Sequence, residues 1–284
     1  MKVNNRLKWF SIGLLTTWLV IFVLFPNLMV IAVSFMTPDL RELIRPEFSV
    51  EGYLRLLDPL YLDVLIHSLY LAGFATLLCL LVGYPAAWII AHTSKRMQAF
   101  LLFLIIVPFW TNSLIRTYAM KVILGNRGIV NKTLMEIGLI DSPIRMLYNE
   151  SAVIMALVYI LLPFMILPLY SSIEKLPRNY LEAAKDLGSG PLRTFRTIVW
   201  PLTLPGVISG CLLVFLPALG MFYIADLLGG AGNLLIGNII RDQILVTRNW
   251  PFGAALSVTL IAMMAVMLWA YHRALKAMQG GQGR

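Results

Sequence analysis

VLIHSLYLAGFATLLCLLVGYPAAWIIAHTS, residues 64–94, runs for 31 residues without a charge. A helix needs roughly 20 apolar residues to cross the hydrocarbon core of a bilayer. Five further uncharged runs share this property: Trp9–Pro38, Met97–Ile115, Ser151–Ile173, Thr197–Ala225 and Asn249–His272, of 30, 19, 23, 29 and 24 residues. The expected fold is therefore an all-α membrane protein with six transmembrane helices, near residues 9–36, 65–92, 98–115, 151–172, 200–225 and 252–272 of one domain, 1–284. Composition agrees: 59% of the 284 residues are hydrophobic, 13% are charged, and mean hydropathy is +0.80. A soluble domain usually holds about 45–50% apolar and about 25% charged residues. Soluble-enzyme, disordered and secreted-scaffold classes are excluded.

Cys79 and Cys211 both lie inside predicted spans with no paired spacing, which argues against a disulfide framework or a zinc site. Lys2, Arg6 and Lys8 precede an apolar run about twice as long as a signal-peptide core, without a small-x-small cleavage site, so the first run is expected to remain as an anchor. With the N-terminus inside, residues 1–8, 95–96, 174–196 and 273–284 carry 13 Lys+Arg against 3 acids. The opposite segments carry 10 against 11 acids and are longer, so the basic density favours an inner (cytoplasmic) membrane protein with both termini cytoplasmic. The outer segments 39–63 and 116–150 contain amphipathic stretches such as Asn131–Ile140, which suggest short surface helices. Leu227–Ile240 is uncharged but too short to span, and reads as interfacial or re-entrant.

Pro26 lies in the first run, and Pro85, Pro108, Pro163, Pro168 and Pro217 lie in runs two to five. Proline removes a backbone donor, and the freed carbonyls in lipid need protein or a wet cavity beside them. Packing alone accounts for any single one; the concentration in the middle spans favours kinked helices around a pathway. Asp226 ends the fifth run, with Tyr223 three residues earlier on the same face, and Trp110 and Asn112 close the third. An acid beside aromatic faces is chemistry that holds an organic ammonium. The alternative is an acid turned to water and an ordinary aromatic belt at the interface. No nucleophile–base spacing, metal-ligand cluster or cofactor motif appears, and His67, His92 and His272 are scattered.

The loop Ile173–Pro201 reads as two short amphipathic helices. Pro177 suits a first position and Gly188 a cap, with Tyr180, Ala184 and Leu187 as the stripe of the first helix. Pro191 opens the second, with Leu192, Phe195 and Val199 as its stripe. Such a pair fits either a soluble partner or the lipid interface.

These residues carry a resemblance. Glu182-Ala-Ala-x-x-x-Gly188, nine residues, then Ile198-x-Trp-Pro201 is similar to the EAA motif of binding-protein-dependent ABC importer permeases of the MetI-like class. The family form ends Ile-x-Leu-Pro, and Trp200 keeps a large apolar side chain at the Leu position. The resemblance implies that the loop 174–199 is a coupling helix between spans four and five that seats in a cytoplasmic ATPase, with Glu182, Ala183, Ala184 and Gly188 at the seat. Leu57–Tyr61, Val107–Arg116, Tyr159–Phe164, Leu169–Lys175 and Asn233–Asn238 further resemble the PotB-type permeases of spermidine/putrescine importers. That implies a PotC-like second permease, two copies of a PotA-like ATPase, a periplasmic PotD-like polyamine-binding protein and a polyamine substrate. No Gly-x4-Gly-Lys-Ser/Thr loop is present, so ATP hydrolysis is expected from a partner and the chain itself is not expected to be an enzyme. The competing expectations are a permease of the same class for another solute, and a self-contained secondary transporter.

Overall fold

The computed structural model describes residues 5–39, 43–230 and 232–281. These residues form two compact units, one of residues 1–62 and 239–266, the other of residues 63–238 and 267–284. In chain order the elements are α1 (Trp9–Ser34), β1 (Met36–Asp39), β2 (Leu43–Phe48), α2 (Glu51–Arg55), α3 (Pro59–His92), α4 (Lys95–Ile106) and α5 (Ser113–Leu124). They continue with α6 (Ile129–Glu136), α7 (Glu150–Glu174), α8 (Arg178–Asp186), α9 (Pro191–Gly220), α10 (Ile236–Leu245) and α11 (Trp250–Gly281). Among the described residues, five helices are long and apolar enough to span, and the bent pair Lys95–Trp110 and Ser113–Glu136 supplies a sixth crossing if taken as one span. The chain is an all-α membrane protein, as its hydropathy requires.

In the first unit, α1 is exposed from Trp9 to Met29. The segment after it folds as an antiparallel β-hairpin, with Thr37 opposite Arg45 and Asp39 opposite Leu43. The expected surface helix is thus reduced to the five residues of α2. Phe35 explains the hairpin's position: its ring stacks on Phe48 (5.7 Å) and tilts against Tyr53 (5.0 Å), while the Ser34 and Tyr53 hydroxyls share a hydrogen bond of 2.7 Å.

In the second unit the core is α7, whose Val153, Ala156, Leu157, Leu161, Met165 and Leu169 are fully buried. It pairs most extensively with α9, and small residues make this possible. A Cβ on Gly206 would lie 2.8 Å from the Pro168 carbonyl oxygen, and one on Gly210 would lie 2.7 Å from Met165 Sδ. A Cβ on Gly83 of α3 would lie 2.9 Å from Met165 Cγ. Gly206-x-x-x-Gly210 is the small-xxx-small pattern that lets helices approach in lipid; Met165 fills the space beside Gly83 and Gly210, while Ser172 and the Pro168 carbonyl sit against Gly206. The helices run on through Pro85, Pro163, Pro168, Pro205 and Pro217.

The sharp break falls elsewhere. After α4 a 3-10 turn spans Val107–Trp110, and the next helix leaves at 93°. The span expected near 98–115 is broken here: its first helix ends at Trp110, because Pro108 starts the turn and Asn112 caps a new helix. The stretch Asn131–Ile140 is helical as α6 to Glu136, and Gly138 then takes a left-handed backbone (φ 71°).

Candidate functional site

The loop between α7 and α9 is built by its punctuation. Pro177 is extended (φ −65°, ψ 122°) and stands immediately before α8 rather than inside it. Gly188 ends it with φ 71°, its N–H donating to the Lys185 carbonyl and the Ser189 N–H to the Ala184 carbonyl, both at 2.9 Å. That is a Schellman cap, which requires a residue tolerant of the left-handed region at Gly188. The expected stripe is not a packed face. Only Ala184 turns inward (5% exposed), whereas Leu187 is 87% exposed, and Tyr180, Glu182 and Ala183 are also exposed. Nor is there a separate second helix. From Pro191 the chain runs through a π turn at Phe195–Val199 directly into the span, as one 30-residue helix. Leu192 is 80% exposed, but Val199 is buried, so this stripe divides between surface and core.

α3 meets this loop at its His92 end. Tyr84 packs edge-on to Phe195 (5.7 Å), and its hydroxyl shares a 2.9 Å hydrogen bond with Thr203. A groove of about 550 Å³, lined by Trp88, His92, Leu181, Lys185, Phe195 and Val199, separates α8 from α3. Lys95 donates to Glu174 at 2.7 Å, tying the start of α4 to the end of α7. The loop thus stands on a braced base and presents Tyr180, Glu182, Ala183 and Leu187 outward, an apolar surface with a charge in it. Exposed large apolar side chains on a capped, rigid helix suit a protein partner.

Of the four residues singled out for the pathway, three meet at one corner and the fourth stands on the turn that carries Tyr223. Asn112 is an N-cap: its Oδ1 accepts from the Leu114 N–H at 2.8 Å. Trp110 is 77% exposed and lies edge-on to Phe103 at 6.3 Å. The Tyr223 hydroxyl donates to Ser113 Oγ at 3.1 Å, which brings it to the same α4–α5 corner as Trp110 and Asn112. Asp226 accepts from the Asn238 amide. α9 ends at Gly220 and Met221 breaks the backbone (φ −80°, ψ 56°), so Tyr223 and Asp226 stand on a separate turn, 222–229, rather than on the fifth span.

Asn238 escaped the sequence reading as a functional organiser. It is fully buried; its Oδ1 accepts from the Leu235 N–H (2.9 Å), and its amide donates to the Phe222 carbonyl (3.1 Å) and to Asp226. Ser68 Oγ accepts the next N–H, that of Ile236, at 2.8 Å. The available signal was an amide inside the apolar stretch Leu235–Ile240, since a buried amide must be satisfied. Substituting Asn238→Ala leaves the Leu235 N–H and Phe222 carbonyl without these partners. The Leu235 N–H is the buried group that loses its acceptor, so the expected loss is about 1–3 kcal/mol, read as a lowered Tm of the detergent-solubilised protein.

Residues 80–279 match the family described as the binding-protein-dependent transport system inner membrane component, well over half of the chain. The chain belongs to that family. This permease is 54% identical over 274 residues to the spermidine/putrescine transport system permease protein PotB of Salmonella typhimurium, covering 96% of each chain. It is 57% identical over 257 residues to PotB of Escherichia coli, covering 90% of this chain and 94% of that one. Among solved structures it resembles a chain of the bacterial alginate ABC transporter in complex with an alginate-bound periplasmic protein, with a TM-score of 0.76 and 15% identity over 94% of this chain and 93% of that one. That likeness is one of fold. The relatives are subunits of multi-pass inner-membrane transport systems, and the permease takes that place too.

Proposed function

We propose that this permease forms one half of the translocation pathway of an ATP-driven spermidine/putrescine importer. The observation that carries the reading is the 54–57% identity to PotB proteins over nearly the whole chain. In this reading a PotC-like permease forms the other half, two copies of a PotA-like ATPase bind the cytoplasmic face, and a PotD-like periplasmic protein delivers the polyamine. Both termini and the 174–199 loop face the cytoplasm. Glu182, Ala183 and Gly188 form the coupling seat, with Ala184 turned inward beneath it, supported by the exposed and firmly capped α8. ATP-driven closure of the ATPase pulls on α8, and because the second half of the loop, from Pro191, is already the start of α9, only the turn 187–190 separates α8 from the fifth span.

Trp110, Asn112, Tyr223 and Asp226 line the polyamine route, supported by the meeting of Tyr223 with the α4–α5 corner. Asn112 acts there by fixing the corner, and Asp226 by contributing charge at a turn held by Asn238. A transient site suffices, because the soluble binding protein supplies selectivity. The test is ATP hydrolysis by the reconstituted importer, screened with spermidine, putrescine, other amines and inorganic anions. Stimulation by polyamines loaded on the binding protein is the expected result; stimulation by a different solute alone overturns the substrate assignment. Uptake by the lone chain in vesicles without nucleotide would overturn the class.

A further inference from the structure

Arg116 lies one turn into α5 and reaches back across the 93° corner. Its guanidinium carbon is 5.9 Å from the ring centroid of Phe109 and 5.9 Å from that of Tyr159 on α7. Both distances lie within the roughly 6 Å reach of a cation–π contact. Phe109 is held in place edge-on by Phe164 at 4.8 Å. Arg116 Nε is shielded from solvent and has no hydrogen-bond partner, and among the described residues Arg116 forms no ion pair. A shielded guanidinium nitrogen ordinarily secures an acceptor, because a buried donor left unpaired is costly. Here the compensation comes from ring faces. Tyr159 lies nine residues into α7, about 14 Å from its Glu150 end at 1.5 Å per residue, so the charge sits well inside the span.

Two aromatic faces around a cation are the arrangement that holds an alkylammonium. The occupant here is part of the chain. We propose that Arg116 is a tethered cation filling the Phe109–Tyr159 cage, and that a polyamine passes only by displacing it. The inference rests on the polyamine reading above and deepens it. A guanidinium and an ammonium cannot share the same two ring faces, since like charges a few ångströms apart repel even at a partly exposed site. With Arg116 seated, the cage is closed to small cations, in the way a fixed arginine excludes cations from other pores. A polyamine competes because it presents several ammonium groups and its methylene segments fit the apolar edges of the rings. A plain structural role, bracing the corner, would place no demand on the charge.

The experiment uses the assembled importer in detergent, without the binding protein, and measures binding of labelled spermidine by equilibrium dialysis. Arg116→Gln is expected to tighten spermidine binding about tenfold, the scale of two partly shielded cation–π contacts, while Arg116→Lys stays within about twofold of the unsubstituted protein. A second measurement avoids any folding question: in the unsubstituted complex, modification of Arg116 by a hydrophilic dicarbonyl, quantified by mass spectrometry, should rise several-fold when spermidine is added. Equal affinity in Arg116→Gln and the unsubstituted protein, or modification indifferent to spermidine, overturns the proposal. Either result, obtained while polyamines still stimulate hydrolysis by the full importer, removes the tethered cation and leaves the polyamine reading standing. Absence of stimulation by any polyamine removes the substrate reading itself.

Discussion

Glu182→Lys is expected to leave the permease folded and inserted while its ATPase is lost on purification and ATP-driven uptake collapses. The side chain is exposed at the middle of α8, and the helix is held independently of it, by Pro177 before it and the Gly188 cap after it. The substitution therefore removes no internal contact of the loop. What it changes is the sign of a charge set among Tyr180, Ala183 and Leu187, at the centre of the surface assigned to the ATPase. Truncating a central interface residue costs about 2 kcal/mol or more, and reversal adds repulsion, so an affinity loss of at least about thirtyfold is expected. The measurements are co-purification of the ATPase and nucleotide-dependent uptake in proteoliposomes. Full retention of both would count against the coupling assignment. Gly188→Val gives an independent check through geometry, since a β-branched residue at φ 71° breaks the cap that orients the same surface.

The other large effect is on stability. Gly206→Val is expected to prevent accumulation of a monodisperse permease, or to lower its Tm steeply, because the added atoms meet backbone. Even a lone Cβ there stands 2.8 Å from the Pro168 carbonyl oxygen, and Ser172 crowds the same position. A flexible side chain could step aside; a carbonyl in the core helix cannot without separating α7 from α9. Overpacking of this kind costs about 1–3 kcal/mol where the surroundings can adjust, and more where they cannot. Gly210→Ala is expected to be milder, since its nearest neighbour is Met165 Sδ, the adaptable part of a long side chain. Thermal unfolding followed by size-exclusion chromatography ranks the two; equal, small effects would mean that the α7–α9 pairing is not held at glycine distance.

The corner at Trp110–Asn112 separates what could be read from the chain and what could not. Hydropathy marks 97–115 as a single uncharged run, and Pro108 with Asn112 were both visible in it. Nothing local says that the helix breaks after the turn at Pro108 and that Asn112 caps a helix at 93° to it. The same holds for Tyr223 and Asp226. Their spacing of three places them on one helical face, and the break at Met221 and the buried amide of Asn238 then send them to different partners. α8 went the other way: its ends were legible because proline and glycine act through their own backbones, while its stripe, with Tyr180 and Leu187 exposed, fits a partner or the lipid interface equally, because apolar residues meant for either look alike.

By itself, the amino-acid sequence determined the membrane class, the approximate spans, the place and limits of α8, and kinship with the polyamine permeases. Each of these depends on the transfer free energy of a segment, on the backbone preference of a residue, or on residue identity along the chain, all of which are local. The tertiary structure alone decided the β-hairpin after α1, the corner after α4, the seating of Met165 between Gly83 and Gly210, and the pairing of Arg116 with Phe109 and Tyr159. These depend on which side chains face one another across separate helices, and neither hydropathy nor periodicity records that.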